Sequence, residues 1–272
     1  LLTNSAWISI ALFGSLPFLL SDIEMSFIDA FFESTSGITT TGATVIENLE
    51  AKSHGILIWR ALLQWLGGVG IIVMALAVLP MLSIGGMQLF KTESYETPDK
   101  VVPKAASFAA GISIVYITLT VIWALMLWGA GMPMFDSIAH AMTTLATGGY
   151  STKSESLAAF NSSNIEIIII FGMLVGSLPF VHYLALTKNG MKNLIKDDQV
   201  KLFLTLVFFV VLIMSLYLSS NNIPYLEALR LASFNVISII TGTGFGTSDF
   251  NNWGGFPTTI LLILMFVGGC AG

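Results

Sequence analysis

The sequence predicts an all-α polytopic membrane protein made of repeated units, each a helix, a re-entrant half-helix with a loop, and a second helix. Composition is the first observation: 55% of the 272 residues are apolar, 10% are charged, and the mean hydropathy is +0.84. Soluble domains carry about 25% charged residues, so this chain cannot cover a water-facing surface. The second observation is a Thr/Gly cluster that occurs three times along the chain.

Six apolar runs are predicted to span the membrane or nearly so. The last run has 15 residues, fewer than the roughly 20 that a helix needs to cross the hydrocarbon. We therefore expect the chain to be a segment of a longer protein. The runs lie at residues 6–20, 56–84, 105–129, 165–186, 202–218 and 258–272.

A shorter, half-apolar stretch precedes each Thr/Gly cluster. A helix of about 12 residues reaches only ~18 Å, so each stretch is predicted to re-enter on the side it came from. Its loop then lies at membrane depth, which is tolerated where the loop lines a cavity or is buried in protein. The stretches are 27–38, 135–146 and 225–240, and the clusters are ITTTGATV (38–45), LATGGYST (145–152) and ITGTGFGT (240–247).

The clusters define an internal repeat. If Gly42, Gly149 and Gly244 are equivalent, the separations are 107 and 95 residues, which is typical of repeated structural units. The predicted division is a first repeat at 1–90, a second with its preceding cytoplasmic loop at 91–200, and a third, truncated in its second helix, at 201–272.

The charges predict an orientation for these repeats. Seven of the eleven basic residues lie in the two connections between repeats, which marks those connections as cytoplasmic and the loops as external. Eleven of the sixteen acids fall on the loop side, where they either attract cations or are ordinary solvated charges. The basic residues are Lys91, Lys100, Lys104, Lys188, Lys192, Lys196 and Lys201.

The Thr/Gly loops have the composition of a cation site. Glycine adopts positive φ freely, so a short run can turn successive carbonyls toward one axis, as in potassium-channel filters. The C-terminal, negative end of each half-helix points at its loop, whereas phosphate loops use a helix N-terminus. The alternative is close helix packing by small residues. The net charge of −5 argues against nucleic acid as a partner.

Several segments together resemble the Trk/Ktr/HKT superfamily of potassium transporters, and within it the bacterial TrkH family. The resemblance covers nearly the whole chain and implies four membrane-pore-membrane repeats around a pseudo-fourfold pore, of which this chain holds three. It also implies K⁺ as the transported ion, no organic cofactor, a homodimer in the lipid of the bacterial inner membrane with its loops facing the periplasm, and a cytoplasmic TrkA-type nucleotide-binding ring. The segments are ESTSGITTTGATV, MTTLATGGYST, NVISIITGTGFGTSDF, GMLVGSLPF and FVGGCAG.

The resemblance assigns ion-binding filter residues in each repeat. Whether Gly148 or Gly149 is the equivalent glycine stays open, and we favour Gly149 because Ser151 then matches Thr44. The assigned residues are Thr40, Thr41, Gly42, Ala43 and Thr44; Thr147, Gly148, Gly149, Tyr150 and Ser151; and Gly242, Thr243, Gly244, Phe245 and Gly246.

A glycine-rich run ends the chain at about half the depth of the hydrocarbon. Three glycines disfavour continuous helix, and the resemblance implies a mid-membrane loop that gates the pore. The alternative is a GxxxG packing face. The run is Gly268, Gly269, Cys270, Ala271 and Gly272.

Five other polar residues lie in apolar segments. Glu33, His140 and Asn235 are on the half-helices, where we expect them to hold the loops by hydrogen bonds. Arg60 and Gln64 are one turn apart. A charge in such a span suggests a role in the pore, but Arg60 is close enough to its helix end to snorkel outward, which we favour.

Two functions agree with these features. The first is a channel-like potassium uptake subunit, and the second is a potassium symporter coupled to H⁺ or Na⁺. Symporters of that class usually have inverted repeats, whereas here each repeat has the same order. An enzyme is not expected, because no nucleophile, base and orienting group converge.

Overall fold

The computed structural model describes residues 2–73, 98–180, 182–183 and 196–268. Within these ranges all regular structure is helical, as predicted. The described connections contain 3₁₀ turns at Leu49–Ala51, Ser156–Phe160 and Phe250–Trp253. The α-helices are α1 (Leu2–Leu20), α2 (Phe27–Ile38), α3 (His54–Val73), α4 (Pro98–Gly129), α5 (Met134–Leu145), α6 (Ser163–Ser177), α7 (Asp198–Ser220), α8 (Tyr225–Ile240) and α9 (Gly255–Leu264).

The three predicted half-helices are α2, α5 and α8. The first two have 12 residues and α8 has 16. Their starts follow from local chemistry: the Ser26 hydroxyl accepts from the Asp29 backbone N–H, while Pro133 and Pro224 precede α5 and α8. Proline suits this position because the first helical N–H groups have no intrahelical partner.

Each half-helix packs between its neighbours in the chain. Helix α2 contacts α1 and α3, α5 contacts α4 and α6, and α8 contacts α7 and α9. The units are joined by contacts of α5 with α3 and of α8 with α6. Each half-helix therefore lies between the two helices that flank it in the chain, and α5 and α8 also pack against the preceding unit.

The outer faces of the long helices are apolar. Phe13 is 72% exposed on α1, and Phe208 is 63% exposed on α7. Two described segments, Ala109–Gly129 and Asp198–Ser220, have the length and hydropathy to cross a membrane. Large exposed apolar side chains over such helices are typical of lipid-facing surfaces.

One predicted span differs from the structure, and a second is described only in part. The run at 165–186 is not one continuous helix, because α6 ends at Ser177 and Leu178 is extended (φ −83°, ψ 149°). Pro179 follows, and proline disfavours helical geometry in the residue before it. For the run at 56–84, α3 is described as far as Val73, and the remainder lies outside the described residues.

Candidate functional site: three Thr/Gly loops

The three clusters form loops with the same pattern of positive φ angles. We call residues 39–45 loop 1, residues 146–152 loop 2 and residues 241–247 loop 3. In every loop, two residues with one residue between them have positive φ. This pair occurs again 107 residues later in loop 2 and a further 95 residues later in loop 3. Gly149, rather than Gly148, therefore has the backbone position of Gly42 and Gly244. The pairs are Thr40 (54°) and Gly42 (81°), Thr147 (49°) and Gly149 (75°), and Gly242 (73°) and Gly244 (81°).

Adjacent loops approach each other through the same backbone groups. A methyl group on Gly42 would overlap the carbonyl oxygen of Gly148, and one on Gly149 would overlap the carbonyl oxygen of Thr243. Gly148 and Thr243 each precede the positive-φ glycine of their own loop. The contact from loop 2 to loop 1 is thus repeated from loop 3 to loop 2, and only glycine leaves room for it.

The polar residues Glu33, His140 and Asn235 on the half-helices reach their own loops, as expected. Glu33 accepts from the Thr44 hydroxyl at 2.9 Å and from the Val45 backbone N–H at 3.0 Å. His140 Nε2 lies 2.9 Å from the Ser151 hydroxyl. Asn235 Nδ2 is 3.4–3.5 Å from the hydroxyls that follow Gly246. Glu33, His140 and Asn235 have the same 107- and 95-residue spacing as the loops.

Arg60 does not snorkel outward. Its side chain is 1% exposed, because it has partners in the interior. Nε donates to the Glu33 carboxylate at 2.7 Å, Nη1 donates to the Ser151 carbonyl at 2.8 Å, and the guanidinium lies 4.0 Å from the centre of the Tyr150 ring. Arg60 therefore connects the half-helix below loop 1 with the backbone of loop 2.

Gln64 also contacts loop 2, a role that sequence reasoning missed. Its side chain is fully buried. Nε2 donates to the Gly148 carbonyl at 2.6 Å, and Oε1 accepts from the Tyr150 backbone N–H at 2.9 Å. The available signal was its position one helical turn from Arg60, on the same face of an apolar helix.

Tyr150 completes this polar network from loop 2. Its hydroxyl donates to the Glu33 carbonyl at 2.9 Å and lies 3.2 Å from the Ala43 carbonyl oxygen. The Ser36 hydroxyl donates to the same Ala43 oxygen at 2.6 Å. We call Glu33, Arg60, Gln64 and Tyr150 the polar network of loops 1 and 2.

The segments beyond the loops add further contacts. Glu50 accepts from the Ser154 backbone N–H and hydroxyl, both at 2.7 Å, and these bonds lower the pKa of the Glu50 carboxyl. Ser156 accepts from the Gly246 N–H at 3.2 Å. The connection after loop 2 is therefore bonded both to the connection after loop 1 and to loop 3.

The structure brings the filter residues assigned from the sequence into three adjacent loops. The gate-loop residues are only partly described. Helix α9 ends at Leu264, and Gly268 follows with a φ of 52°. Gly269, Cys270, Ala271 and Gly272 lie outside the described residues.

Helices with apolar outer faces and three adjacent glycine-containing loops, in the part of the chain that the structure describes, are typical of polytopic membrane proteins. The family model described as "Cation transport protein", TrkH, matches residues 1–272. The chain belongs to the TrkH family.

Named relatives support this assignment over part of their length. The Trk system potassium uptake protein TrkI of Halomonas elongata is 39% identical over 272 residues, which cover 100% of this chain and 55% of that protein. TrkH of Escherichia coli K12 is 39% identical, covering 98% of this chain and 56% of its own length. The crystal structure of the potassium transporter TrkH from Vibrio parahaemolyticus matches with a TM-score of 0.87 and 38% identity over 97% of this chain and 55% of that one. The chain spans about half the length of these relatives.

Proposed function

We propose that this chain forms part of a potassium uptake pathway in which the three loops supply carbonyl oxygens to K⁺. The observation that carries the proposal is a repeated geometry. The same pattern of positive φ angles occurs in all three loops, and the approach of the Gly148 carbonyl to Gly42 is repeated by the approach of the Thr243 carbonyl to Gly149. A repeated approach of this kind arranges loops around a common axis. The relatives described as potassium uptake proteins support K⁺ as the ion.

The ion ligands in this proposal are the filter residues assigned from the sequence. Carbonyl rings replace the hydration shell of a monovalent cation. The C-terminal ends of α2, α5 and α8 lead directly into the loops, and their dipoles place partial negative charge there. Both effects favour a cation and disfavour an anion.

A pseudo-fourfold pore with a further quadrant between loops 3 and 1 is also proposed. Loop 2 lies between the other two, and its residues Gly148, Tyr150 and Ser151 are buried. Thr41 of loop 1 and Gly244 of loop 3 are exposed, and a methyl group on Gly244 would meet no described atom within 4 Å. This open side has room for one more loop.

The remaining parts of the proposal concern gating and partners. The end of α9 at Leu264 and the positive φ of Gly268 support the proposal that the run beginning at Gly268 gates the pore. We also propose a homodimer in the bacterial inner membrane, with loops facing the periplasm and a cytoplasmic TrkA-type ring as regulator. The lysine-rich connections between repeats support this orientation.

Ion flux through the intact protein in liposomes tests the function. With a K⁺ gradient and no gradient of H⁺ or Na⁺, a channel-like pathway gives K⁺ flux down its own gradient. Empty liposomes are the control. Flux that occurs only when a H⁺ or Na⁺ gradient is imposed would overturn the channel-like mechanism in favour of symport, and no K⁺ flux under either condition would overturn the function.

A further inference from the structure

At one position, loop 2 has a glycine where loops 1 and 3 have a threonine, and the side chain of Gln64 on α3 occupies the space that this leaves. The residue before the positive-φ glycine is Thr41 in loop 1 and Thr243 in loop 3, but Gly148 in loop 2. A Cβ atom on Gly148 would overlap the amide of Gln64. Gly148 and Gln64 are therefore complementary, since the amide occupies the space that a side chain at position 148 would need.

The Gln64 amide fixes the backbone on both sides of Gly149. It donates to the carbonyl of the preceding residue, Gly148, at 2.6 Å, and it accepts from the N–H of the following residue, Tyr150, at 2.9 Å. Two successive glycines have the greatest backbone freedom in any chain. A buried amide with both ends bonded removes that freedom at this point.

Among the residues that the structure describes, the junction between loops 2 and 3 has no counterpart of this amide. A methyl group on Gly67 would overlap the carbonyl oxygen of Ile38, and one on Gly176 would meet that of Leu145 at 2.9 Å. Ile38 and Leu145 are 107 residues apart, so Gly67 and Gly176 are equivalent. The residue three positions before Gly67 is Gln64, and the residue three positions before Gly176 is the fully buried Met173.

We propose that Gln64 is a positioning residue for ion selectivity, which holds the Gly148 carbonyl at the junction of loops 1 and 2. This inference rests on the proposed function, because it concerns the ions that the loops admit. The Gly148 oxygen is the one that lies against Gly42, so the amide fixes a spacing between loops. Discrimination between K⁺ and Na⁺ depends on how carbonyl oxygens are held around the ion.

The test compares two conservative changes at equivalent buried positions in the intact protein. Gln64→Met removes both hydrogen bonds with little change in volume and gives the residue found at position 173. Met173→Leu is the matched control. We expect Gln64→Met to lower the K⁺/Na⁺ permeability ratio in liposomes by roughly three- to tenfold, the effect of one or two hydrogen bonds, while K⁺ flux persists. Met173→Leu should leave the ratio unchanged.

A second variant and a folding measurement separate the outcomes. Gln64→Asn keeps the amide but is too short to reach loop 2, so it should also lower the ratio. Thermal unfolding and gel filtration identify the folded variants. An unchanged ratio in folded Gln64→Met or Gln64→Asn would overturn the positioning role. Absence of K⁺ flux in the unmodified protein would instead overturn the proposed function, and this inference with it.

Discussion

The junction between loops 1 and 2 and the junction between loops 2 and 3 have the same backbone contact but different surroundings. In both, a carbonyl of one loop lies against the positive-φ glycine of the loop before it. The first junction is bordered on α3 by Arg60 and Gln64, whereas the equivalent positions on α6 are Ile169 and Met173. All four side chains are buried.

This difference distinguishes the backbone contact that both junctions share from the polar side chains that only the first junction has on α3. Because the backbone contact also forms where the equivalent helix residues are Ile169 and Met173, it does not depend on an arginine and a glutamine at these two positions. The helix ends and glycines are the features that both junctions share. The polar network of loops 1 and 2 therefore has a local role, in holding the two-glycine loop and its neighbour in register.

The largest effects are expected from the feature that both junctions share. Gly42→Ala and Gly149→Ala should each abolish K⁺ uptake, because the added methyl group would overlap a carbonyl oxygen of the adjacent loop. Gly131→Ala is the matched control: Gly131 has a φ of 98°, and its methyl group would meet no described atom within 4 Å. It should lose only the backbone contribution of about 1–2 kcal/mol and retain uptake.

Growth of a potassium-uptake-deficient strain at low K⁺ measures this prediction, with membrane abundance of each variant as a check. Equal uptake by Gly42→Ala and Gly131→Ala would show that the close approach of the loops is not required. An effect at only one of Gly42 and Gly149 would show that the two junctions are not equivalent.

The next effect should distinguish the junctions. Arg60→Met leaves the Glu33 carboxylate buried without its cation and should reduce the free energy of unfolding by about 3–5 kcal/mol. A conservative change at the equivalent position on α6, Ile169→Val, should reduce the free energy of unfolding by only about 0.5–1.5 kcal/mol. Thermal unfolding of the purified variants in detergent gives the order of the two effects.

A double variant identifies the cause of the Arg60 effect. Arg60→Met combined with Glu33→Gln removes both charges, so it should be more stable than Arg60→Met alone. If the double variant is as unstable as the sum of the two single changes, the ion pair is not the dominant interaction and lost packing on the Tyr150 ring explains the result.

Helices and loops could be predicted from the sequence, whereas the network between them could not. The bounds of α2 and α8 agree with the predicted 27–38 and 225–240, because a capping serine or a proline begins the helix and a Thr/Gly segment ends it. The helix end before Pro179 was missed, although proline's effect on the preceding residue is a local signal. These features depend on neighbours in the chain.

The partners of Arg60 depend on the fold. Glu33 and Ser151 lie 27 residues before and 91 residues after it, and no local pattern joins residues at such separations. A charge near a helix end is consistent with snorkelling until the neighbouring loop is known. The Thr/Gly repeat was a long-range signal in the sequence, and the recurrence of Glu33, His140 and Asn235 at the same spacing agrees with their contacts with the loops.

The smallest expected effect comes from making loop 2 resemble loop 3 at its aromatic residue. Tyr150 and Phe245 are equivalent, and both rings are buried. Each lies beside the half-helix of the repeat before its own: Tyr150 near Glu33 of α2, and Phe245 near His140 of α5. Tyr150→Phe keeps the ring under Arg60 and removes only the hydroxyl that donates to the Glu33 carbonyl. We expect the free energy of unfolding to fall by about 1 kcal/mol with K⁺ uptake retained, measured by thermal unfolding and by growth at low K⁺.

Phe245→Leu is the comparison at the other junction, because it removes ring packing and no hydrogen bond. A Tyr150→Phe variant as damaging as Arg60→Met would mean that the hydroxyl, and not the ion pair, holds loops 1 and 2 together.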